Sequence, residues 1–542
     1  MNVAEMLVEE LADSGVKRIY GLIGDSLNPI GDAVHHSKRI KWLSVRHEES
    51  AAIAAGAEAE LSGELCVCAA TNGPGSVHLI NGLYEANRNH SPVLAIVTHM
   101  DTGEQGLSFF QATHPELIYR DCSIFCEAMV SPKQMPRLLQ EAMQTAVSGK
   151  GVAVIILPRD VSESNIEESV YQHPVRKTDH LIQPQEEDVK KLANLINSYN
   201  KVTLYCGIGC KNAKSEVLAL ADRIKAPTVC TLRSKEFMEA DNPYNAGLNG
   251  KISSWESKEA LDNCDLLLLL GTDFPFENYI PTHAAVAQID IVGKHLGRRS
   301  RLDLGIVGGV RETLEMLLPY VREKEDDAHL KASLSYKAAI DEGKKAELDK
   351  FKQDEVLRPE YLTSVLSDVA ADDAVFTVDV GLNDIWAARY LQAMPHRNII
   401  GSFKHATMAA ALPTAIGAQL SDKARQVIVM AGDGGLTMLM GELLTLVQSN
   451  LPIKVVVYNN GELGFIRYEA ELEKMEPFQV ELKNPDFAAM AETIGIKGVK
   501  IEHPDGLEEV LKQALLEKGP VLINAVTDPK AIGYCNYCRV KQ

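Results

Sequence analysis

The sequence predicts an α/β protein with three doubly wound, parallel-sheet domains, and three observations support this fold class. The apolar runs are continuous and do not alternate with polar residues, as is typical of strands buried on both faces of a parallel sheet. Strand-like and helix-like stretches alternate along the chain. Two polar, charged stretches, 165–186 and 322–356, look like linkers and separate three such series.

These linkers divide the chain into an N-terminal, a central and a C-terminal domain followed by a short tail. The predicted bounds are 1–165, 185–325, 355–530 and 531–542. A chain of 542 residues has room for about three or four domains of ~150 residues. No short-period repeat is present, which argues against a solenoid.

The composition is that of a globular protein, with 46% hydrophobic and 24% charged residues. A formal net charge of -19 argues against nucleic acid as the main partner, but not against small phosphate compounds, which local backbone dipoles hold. No apolar run approaches the ~18 residues of a membrane span. The N-terminus reads as an acidic amphipathic helix, not a signal peptide.

The ten cysteines sit mostly in strand-like runs, which favours reduced thiols and a cytoplasmic protein. Attachment to the membrane periphery stays open. The pair Cys535-x-x-Cys538 is either a redox or metal pair or two unrelated thiols.

In the N-terminal domain, "RIYGLIG" predicts a strand and "SLNPIGDAV" the helix after it. A second strand ends at Arg46-His47, and Glu48 opens the Ala-rich helix "EESAAIAAGAEAELSG". The strand "ELCVCAATNG", the helix "SVHLINGLYEAN" and the strand "SPVLAIVT" follow. In the central domain, "LLLLLG" and "AAVAQID" are buried strands.

The C-terminal domain contains the most informative unit, residues 426–460. "QVIVMAG" is a strand, "GDGG" a turn, "TMLMGELLTLVQSN" a helix and "IKVVVYNN" the next strand, so the two strands should be parallel. Asp433 and Asn460 then meet at the carboxyl edge of the sheet, where ligands bind. The Gly434 and Gly435 amides at the helix start favour an anion.

An anion beside an acidic side chain implies a cation between them. Carboxylate, amide and diphosphate oxygens suit Mg²⁺, which prefers six hard oxygen ligands. A GDGG turn taken alone favours an ordinary tight turn. Its spacing of 27 residues to Asn460 makes the metal site the more specific interpretation.

The G-D-G and N-N pair resembles the signature of thiamine-diphosphate-dependent enzymes, and "GSFKHATMAAALPTAIGAQL" resembles the family too. The resemblance implies Mg²⁺ ligands at Asp433, Asn460 and the carbonyl of Glu462, with Gly434 and Gly435 on the diphosphate. Further expected cofactor contacts are Ala406, Thr407 and Met408 on the aminopyrimidine, and Val380 and Gly381 of "DVG". Without the family, Met408 would equally suit a helix core.

The resemblance also implies a catalytic acid at Glu48, the first Glu after His47. Its carboxyl group would promote the imino tautomer of the pyrimidine, which deprotonates the thiazolium. Burial among alanines would raise its pKa and suit it to proton sharing. Otherwise Glu48 and Glu49 are helix-start carboxylates favoured by the helix dipole.

Other stretches match the family with some departures. "TNGPGSVHLINGL" matches its N-terminal glycine turn, and "FFQATHPE" matches a segment that lines the active site through Phe110 and Gln111. Ala112 replaces the family's Glu there. Phe465 is expected near the reacting carbons, and Arg467 either supplies charge for a substrate carboxylate or narrows the pocket.

Within the family the chain is most similar to the subgroup of pyruvate oxidase and quinone-linked pyruvate dehydrogenase, over about residues 1–530. The stretches that carry this include "SGVKRIYGLIGDSLNPI", "HLINGLYEANRNHSPVLAI", "YCGIGC" and "LLGTDFPF". In that subgroup the central domain binds FAD. The expected residues are Asn249, Gly250, Lys251, Ile252, Thr272, Asp273, Phe274, Pro275, Phe276, Asp290, Ile291, Val292, Gly293, Lys294 and His295.

The residues support the FAD site in part. Gly207-x-Gly209 and Gly271-Thr272 end apolar strands where amides can approach a diphosphate, and Asp290 can accept from a ribose hydroxyl. As bare glycine turns, these two segments favour structural turns by default. "DIVGKH" lacks the usual Asn-Pro, and Gly309 in "VGGV" replaces the Asp of a Gly-Asp pair.

The resemblance implies oxidative decarboxylation of pyruvate or a close 2-oxo acid to acetate and CO₂, with thiamine diphosphate, Mg²⁺ and FAD, and with a quinone or O₂ as acceptor. The alternatives are a non-redox carboligase or decarboxylase like acetolactate synthase, and a protein that only binds the cofactor. A homodimer or homotetramer is expected. Membrane docking is doubtful, because "AIGYCNYCRVKQ" is too short for an amphipathic docking helix.

Overall fold

A computed structural model describes residues 1–166, 174–177 and 181–533. It contains three parallel sheets of six strands, one in each predicted segment, which confirms the predicted fold class. The segment bounds themselves stay a prediction. Cys535 and Cys538 lie outside the described residues. None of the helices in the described part of the chain is long and apolar enough to span a membrane.

The N-terminal sheet has the strand order β2-β1-β3-β4-β6-β5. Its strands are β1 (Arg18–Gly21), β2 (Lys41–Ser44), β3 (Cys66–Ala70), β4 (Val93–His99), β5 (Phe125–Ala128) and β6 (Val152–Pro158). Its helices are α1 (Val3–Asp13), α2 (Asn28–Ser37), α3 (Glu48–Ser62), α4 (Pro74–Arg88), α5 (Pro115–Ile118), α6 (Met135–Gly149) and α7 (Arg159–Glu163). β2 ends at Ser44, so the predicted strand end at Arg46-His47 was two residues too late.

The central sheet has the order β12-β11-β10-β7-β8-β9. Its strands are β7 (Val202–Cys206), β8 (Thr228–Cys230), β9 (Asn245–Leu248), β10 (Leu266–Leu270), β11 (Ala285–Asp290) and β12 (Leu304–Val307). Its helices are α8 (Glu186–Ser198), α9 (Lys214–Ile224), α10 (Leu232–Met238), α11 (Lys258–Asp262) and α12 (Val310–Leu317). Odd and even residues of β10 pack into different apolar clusters, so this strand is buried on both faces.

The stretch 322–356, predicted as a linker, contains the 24-residue helix α13 (Ala328–Phe351). His329, Leu330, Ser333 and Ile340 are its buried residues. The hydroxyl oxygen of Thr203 in β7 lies 3.0 Å from Nε2 of His329, so the helix packs on the central domain. Its few apolar contacts explain why the sequence shows no apolar run there.

The C-terminal sheet has the order β14-β13-β15-β16-β18-β17. Its strands are β13 (Val375–Val378), β14 (Asn398–Gly401), β15 (Val427–Gly432), β16 (Lys454–Asn459), β17 (Lys497–Ile501) and β18 (Val521–Val526). Its helices are α14 (Pro359–Val369), α15 (Leu382–Tyr390), α16 (Ala411–Ser421), α17 (Asp433–Leu439), α18 (Leu443–Gln448), α19 (Gly464–Leu472), α20 (Phe487–Thr493) and α21 (Leu507–Leu516).

The N-terminal and C-terminal domains share one apolar core, because α3 packs directly on α16. Small residues allow this approach. A Cβ on Gly417 would lie 2.1 Å from the Ala54 carbonyl oxygen, so any larger side chain at 417 would separate the two helices. The alanines of α3 therefore form a domain interface as well as a helix.

The predicted single helix after β15 is divided in two. It begins at Asp433 and not after the glycines, and a 3₁₀ turn over Met440–Glu442 separates α17 from α18. This turn places the buried Glu442 carboxylate against the start of α3, where it accepts from the backbone amides of Arg46 and His47 at 2.9 and 3.0 Å. The division of the helix thus has a structural role in joining the two domains.

Candidate active site

Asp433 is the centre of the polar site at the carboxyl edge of the C-terminal sheet. It directly follows β15, and its buried carboxylate accepts from the amides of Gly434 at 2.8 Å and Gly461 at 2.7 Å. Burial raises the pKa of Asp433, while these hydrogen bonds lower it. A carboxylate held in this way is a strong ligand for a cation.

Asn460 lies beside Asp433 because β15 and β16 are neighbours in the sheet, with Gly432 in register with Tyr458. The predicted adjacency of the two strands is therefore present. The side-chain oxygen of Asn460 accepts from the amide of Glu462 at 3.1 Å.

Asn484 is a further member of the site that the sequence did not indicate. Its amide donates to Asp433 at 2.7 Å and to the Asn459 side-chain oxygen at 2.9 Å. It lies in the loop before α20, about 50 residues from Asp433 in sequence, in "KNPDF". Nothing in that stretch distinguishes a ligand-orienting Asn from a turn residue, so only the fold reveals it.

A cleft opens over this site and contains several of the residues predicted to bind the cofactor. Gly381 lines it with a φ of 136°, a conformation that favours glycine. The predicted cofactor and catalytic residues that line it are Val380, Gly381, Met408, Asp433, Gly434, Gly435, Asn460, Glu462 and Phe465. Ala406 and Thr407 lie in the loop that carries Met408.

The loop of Ala406, Thr407 and Met408 has an unusual backbone. Ala406 and Ala409 have φ values of 62° and 68°, in the left-handed region that non-glycine residues rarely adopt. They flank Thr407 and Met408, so strain in the backbone sets the direction of these two side chains.

Two further carboxylates lie near this edge, of which Asp379 is buried and Asp384 is half-buried. Burial raises the pKa of Asp379 to about 7 and the pKa of Asp384 to about 8. The Asp379 carboxylate lies directly against Gly435, where any Cβ would overlap it. Gly435 is thus required by packing as well as by the predicted diphosphate contact.

Arg467, which the sequence left as a substrate contact or a pocket-narrowing residue, is bound to two carboxylates. Its guanidinium donates to both oxygens of Glu462, at 2.9 and 2.8 Å, and to Glu471 at 3.0 Å. The structure therefore gives it a third role, that of holding the Glu462 side chain. The Glu462 carbonyl, not its side chain, was the predicted ligand.

The second group of predicted residues lies on the N-terminal domain. Glu48 is buried as the first residue of α3, with His47 as its N-cap. Its carboxylate accepts from His78 at 2.9 Å, and the His47 and His78 rings stack at 4.5 Å. The ligand atoms of these three residues lie within 4.8 Å of one another.

Gln111 belongs to the same group. Gln111 has a φ of 60°. It packs against the glycine turn at Gly73, where a Cβ added to Gly73 would lie 2.6 Å from the Cβ of Gln111. Glu48 approaches the same turn at Gly75. Phe110 is 77% exposed, so its ring is not held by this chain.

Among the residues that the structure describes, Glu48, Phe110 and Gln111 do not line the cleft over Asp433. The two groups therefore form separate sites within one chain. This separation is compatible with the expected homodimer or homotetramer, in which two chains could each supply one group to a shared site; that assembly stays a prediction.

The predicted FAD residues lie in three segments that follow β9, β10 and β11 at the carboxyl edge of the central sheet. The first two meet, because Asn249 donates to the Tyr279 carbonyl at 3.0 Å and Gly250 lies against the Phe274 ring. In the third, Asp290 is buried, and burial raises its pKa. Its carboxylate accepts from Val292 at 2.8 Å and lies 3.4 Å from His295.

The glycine turns of the central sheet differ from the expectation. The amides of Gly207, Gly209 and Gly271 donate to the carbonyls of Leu270, Gly271 and Ile289 at 2.9–3.0 Å. They are thus engaged within the sheet edge and not directed at a ligand. The turns also pack too closely for a side chain, because a Cβ on Gly207 would lie 2.4 Å from the Gly271 oxygen.

An apolar rim along the same edge was not predicted as a set, although Phe276 and Ile291 are among the predicted FAD residues. Each of five strands is followed or ended by an exposed large apolar residue, and we call this set the apolar rim. Its members are Ile208, Trp255, Phe276, Ile291 and Val307. Phe276 is 53% exposed and stands edge-on to Phe274 at 5.4 Å. Such a rim suits a ligand with a large aromatic ring system.

The chain matches the thiamine pyrophosphate enzyme family in three parts. Residues 1–118 match its N-terminal TPP binding domain, 189–317 its central domain and 379–525 its C-terminal TPP binding domain. Each match contains most of one of the three sheets described above.

Three relatives resemble the chain over almost its whole length. A Bacillus subtilis (strain 168) protein named "Putative thiamine pyrophosphate-containing protein YdaP" is 37% identical, covering 99% of this chain and 94% of the relative. The pyruvate oxidase of Lactiplantibacillus plantarum is 31% identical, covering 96% and 87%. The acetolactate synthase isozyme 2 large subunit of Escherichia coli (strain K12) is 29% identical, covering 97% and 96%.

Proposed function

Since this chain belongs to the thiamine pyrophosphate enzymes, we propose that it decarboxylates pyruvate or a close 2-oxo acid to acetate and CO₂, using thiamine diphosphate, Mg²⁺ and FAD. A quinone or O₂ takes the electrons. The single observation that carries the thiamine part is the cluster of Asp433, Asn460 and Asn484 beneath the cleft. The redox part is supported by the apolar rim and by the resemblance to pyruvate oxidase.

The residues of the cleft fit a magnesium diphosphate. Asp433 and Asn460 offer hard oxygen donors, and Gly461 and Asn484 orient the carboxylate by donating to it. Asp433, Asn460 and the Glu462 carbonyl would hold the ion. The start of α17 offers backbone amides to the diphosphate, although the Gly434 amide donates to Asp433 in this structure.

When bound, thiamine diphosphate supplies a thiazolium ring that accepts the electron pair released as CO₂ leaves. The chain's own residues have separate tasks around it. Met408 would contact the cofactor from the strained loop, and Phe465 would lie near the reacting carbons, since both line the cleft. Glu48 would exchange a proton with the pyrimidine ring, and the hydrogen bond from His78 keeps its carboxylate oriented.

Because Glu48 and the cleft lie apart in one chain, the proposal includes a second chain that brings its Glu48, Phe110 and Gln111 to the first chain's cleft. The functional unit is then a homodimer or homotetramer. The exposed Phe110 ring is consistent with this arrangement.

The central domain fits FAD through its carboxyl edge. The apolar rim would cover the ring system, and Asp290 would accept from a ribose hydroxyl. The Gly207, Gly209 and Gly271 amides do not serve the diphosphate, since all three donate within the sheet. The remaining predicted segments would have to hold it.

Anaerobic flavin bleaching tests this proposal. The purified protein is expected to be yellow, and its visible flavin absorbance should disappear when pyruvate is added without O₂. Acetate should appear in an amount equal to the flavin reduced. A yellow protein that stays oxidised with every short 2-oxo acid would contradict the redox step.

The second candidate is a non-redox carboligase or decarboxylase, as the acetolactate synthase relative suggests. The engaged glycine amides of the central sheet favour it, because they weaken the case for a bound flavin. A colourless protein, or one whose flavin remains oxidised while pyruvate is converted to acetolactate or acetaldehyde, would establish this alternative.

A further inference from the structure

The loop 402–409 needs support from outside itself. A non-glycine residue in the left-handed region costs roughly 1–2 kcal/mol, and Ala406 and Ala409 both adopt it. Strain of this kind persists only where surrounding groups hold the backbone in place. Among the groups that hold this loop are side chains of helix α4 of the N-terminal domain.

Two side chains of α4, one turn apart, face the loop. The Asn81 amide donates to the Thr407 hydroxyl at 2.8 Å, and its oxygen accepts from His405 at 3.0 Å. Glu85 accepts from the Ser402 hydroxyl, which in turn accepts from the Thr407 amide at 2.9 Å. Thr407 is therefore held through both its side chain and its backbone.

Asn81 has one more partner. Its amide also donates to Glu49 at 2.7 Å, and Glu49 directly follows Glu48 at the start of α3. One side chain thus contacts the loop of Thr407 and Met408 and the helix start that carries Glu48.

Simple docking of the two domains does not require these hydrogen bonds. The close approach of α3 and α16 at Gly417 and the contacts of Glu442 already join the domains. The three polar bonds of Asn81 add direction, since they define where the Thr407 hydroxyl lies.

We infer that Asn81 is a positioning residue that holds Thr407 and Met408 in the conformation that receives the cofactor's pyrimidine ring, and that couples this loop to the start of α3. The inference rests on the proposed function, because it gives the loop its ligand. Asn81 itself touches neither substrate nor cofactor in this assignment.

The test compares Asn81→Ala with Asn87→Ala, a matched change on the same helix. Asn87 accepts from the Val152 amide at 3.2 Å and has no bond to the loop. Metal-depleted, cofactor-free protein is titrated with thiamine diphosphate at saturating Mg²⁺ by calorimetry. We expect the dissociation constant for thiamine diphosphate to rise about 10-fold in Asn81→Ala, because one or two hydrogen bonds that hold the loop are lost. Asn87→Ala should stay within about 2-fold of the wild type.

A second variant approaches the same bond from the loop. Thr407→Val should weaken cofactor binding, and Thr407→Ser should restore it. The double variant Asn81→Ala with Thr407→Val should bind the cofactor no more weakly than the weaker-binding single variant. In the loaded enzyme, the half-saturating thiamine diphosphate concentration should rise while the KM for pyruvate stays unchanged.

The outcomes separate the two proposals. If the wild type binds no thiamine diphosphate, the proposed function fails, and this inference with it. If the wild type binds and Asn81→Ala binds equally well, or if Asn87→Ala weakens binding as much, the inference alone is wrong. If the Asn81 variant does not fold, the Thr407 series gives the same decision.

Discussion

At the scale of single residues, Glu48 shows how the fold prepares a carboxylate for proton exchange. It is buried at the start of α3, and a histidine from the neighbouring helix α4 holds it. His47 stacks on that histidine and so limits its movement. The group is directed towards the glycine turn at Gly75, not towards the cleft of its own chain.

Replacing Glu48 by Gln should abolish turnover and leave cofactor binding largely intact, because the amide keeps the shape but cannot exchange a proton in the same way. We expect kcat to fall by at least about 100-fold. Thiamine diphosphate affinity, measured by calorimetry, should change little. Glu64→Gln, beyond the end of α3, serves as the control, and a Glu48 variant that retains activity would show that the assigned acid is wrong.

The sequence could predict the residues whose chemistry depends on spacing. Asp433 and Asn460 were placed together because adjacent parallel strands bring their ends to one edge, and the register of β15 and β16 confirms that adjacency. The sequence could not predict Asn484 or the partners of Arg467. Their contacts depend on how loops fold back over the sheet, which no local pattern specifies.

At the scale of elements, helix α4 provides the polar contacts that the described residues show between the N-terminal domain and the loop 402–409. Its Glu85 is buried, and burial raises the pKa of Glu85 to about 7, although Ser402 and Asn89 donate to it. The folded protein therefore favours the protonated form of this side chain over a pH range in which the unfolded chain has lost the proton.

Glu85 should make stability depend on pH. Its folded pKa of about 7 lies above the ordinary 4.5, so its stabilising contribution is complete below pH 4.5 and is lost as the pH rises through 7. Between pH 5 and 8, the melting temperature of the wild type should therefore fall relative to Glu85→Gln, by about 3 °C. Scanning calorimetry measures the difference. A constant gap across this range, as expected for Glu64→Gln, would refute the assignment.

The apolar rim of the central sheet gives a second test at this scale. Trp255 is 43% exposed there, and its ring lies 5.8 Å from the Tyr279 ring. Because Trp255 is exposed at the rim, a flavin bound against the rim should quench its fluorescence. We expect titration of FAD-depleted protein with FAD to lower tryptophan emission, and Trp255→Phe to remove most of this change. Trp42→Phe in the N-terminal domain should retain it. Equal quenching in both variants would place the flavin elsewhere.

Strands were predictable where burial on both faces requires an uninterrupted run of apolar residues. "LLLLLG" became β10 and "AAVAQID" became β11. Prediction failed where tertiary contacts decide. The turn between α17 and α18 contains Glu442, which accepts from the amides before α3, and α13 packs on the central domain with very few apolar residues. Neither effect leaves a periodic signal.

At the scale of the whole molecule, the chain contains three parallel sheets of six strands each. The N-terminal and C-terminal domains share one apolar core. The N-terminal domain also exposes large apolar side chains in and after the loop of Phe110. Leu107 is 72% and Leu117 61% exposed. Patches of this kind commonly mark contact surfaces between chains.

We expect light scattering to give at least twice the mass of one chain, and Leu117→Asp to raise the dissociation constant of the assembly by about 100-fold, the effect of one interface hot spot. Leu181→Asp, at an exposed leucine between the first two domains, is the matched control. A wild-type protein that stays monomeric at micromolar concentration would contradict the two-chain site.

The two alanines with left-handed backbone at 406 and 409 also have a kinetic consequence. Glycine at these positions would relax the loop, but it would also let the free protein sample many loop shapes. With alanine, the conformational entropy is lost during folding and not during each encounter with ligand. Association should then follow a single exponential whose rate grows linearly with thiamine diphosphate concentration, without the plateau that a slow loop rearrangement would impose.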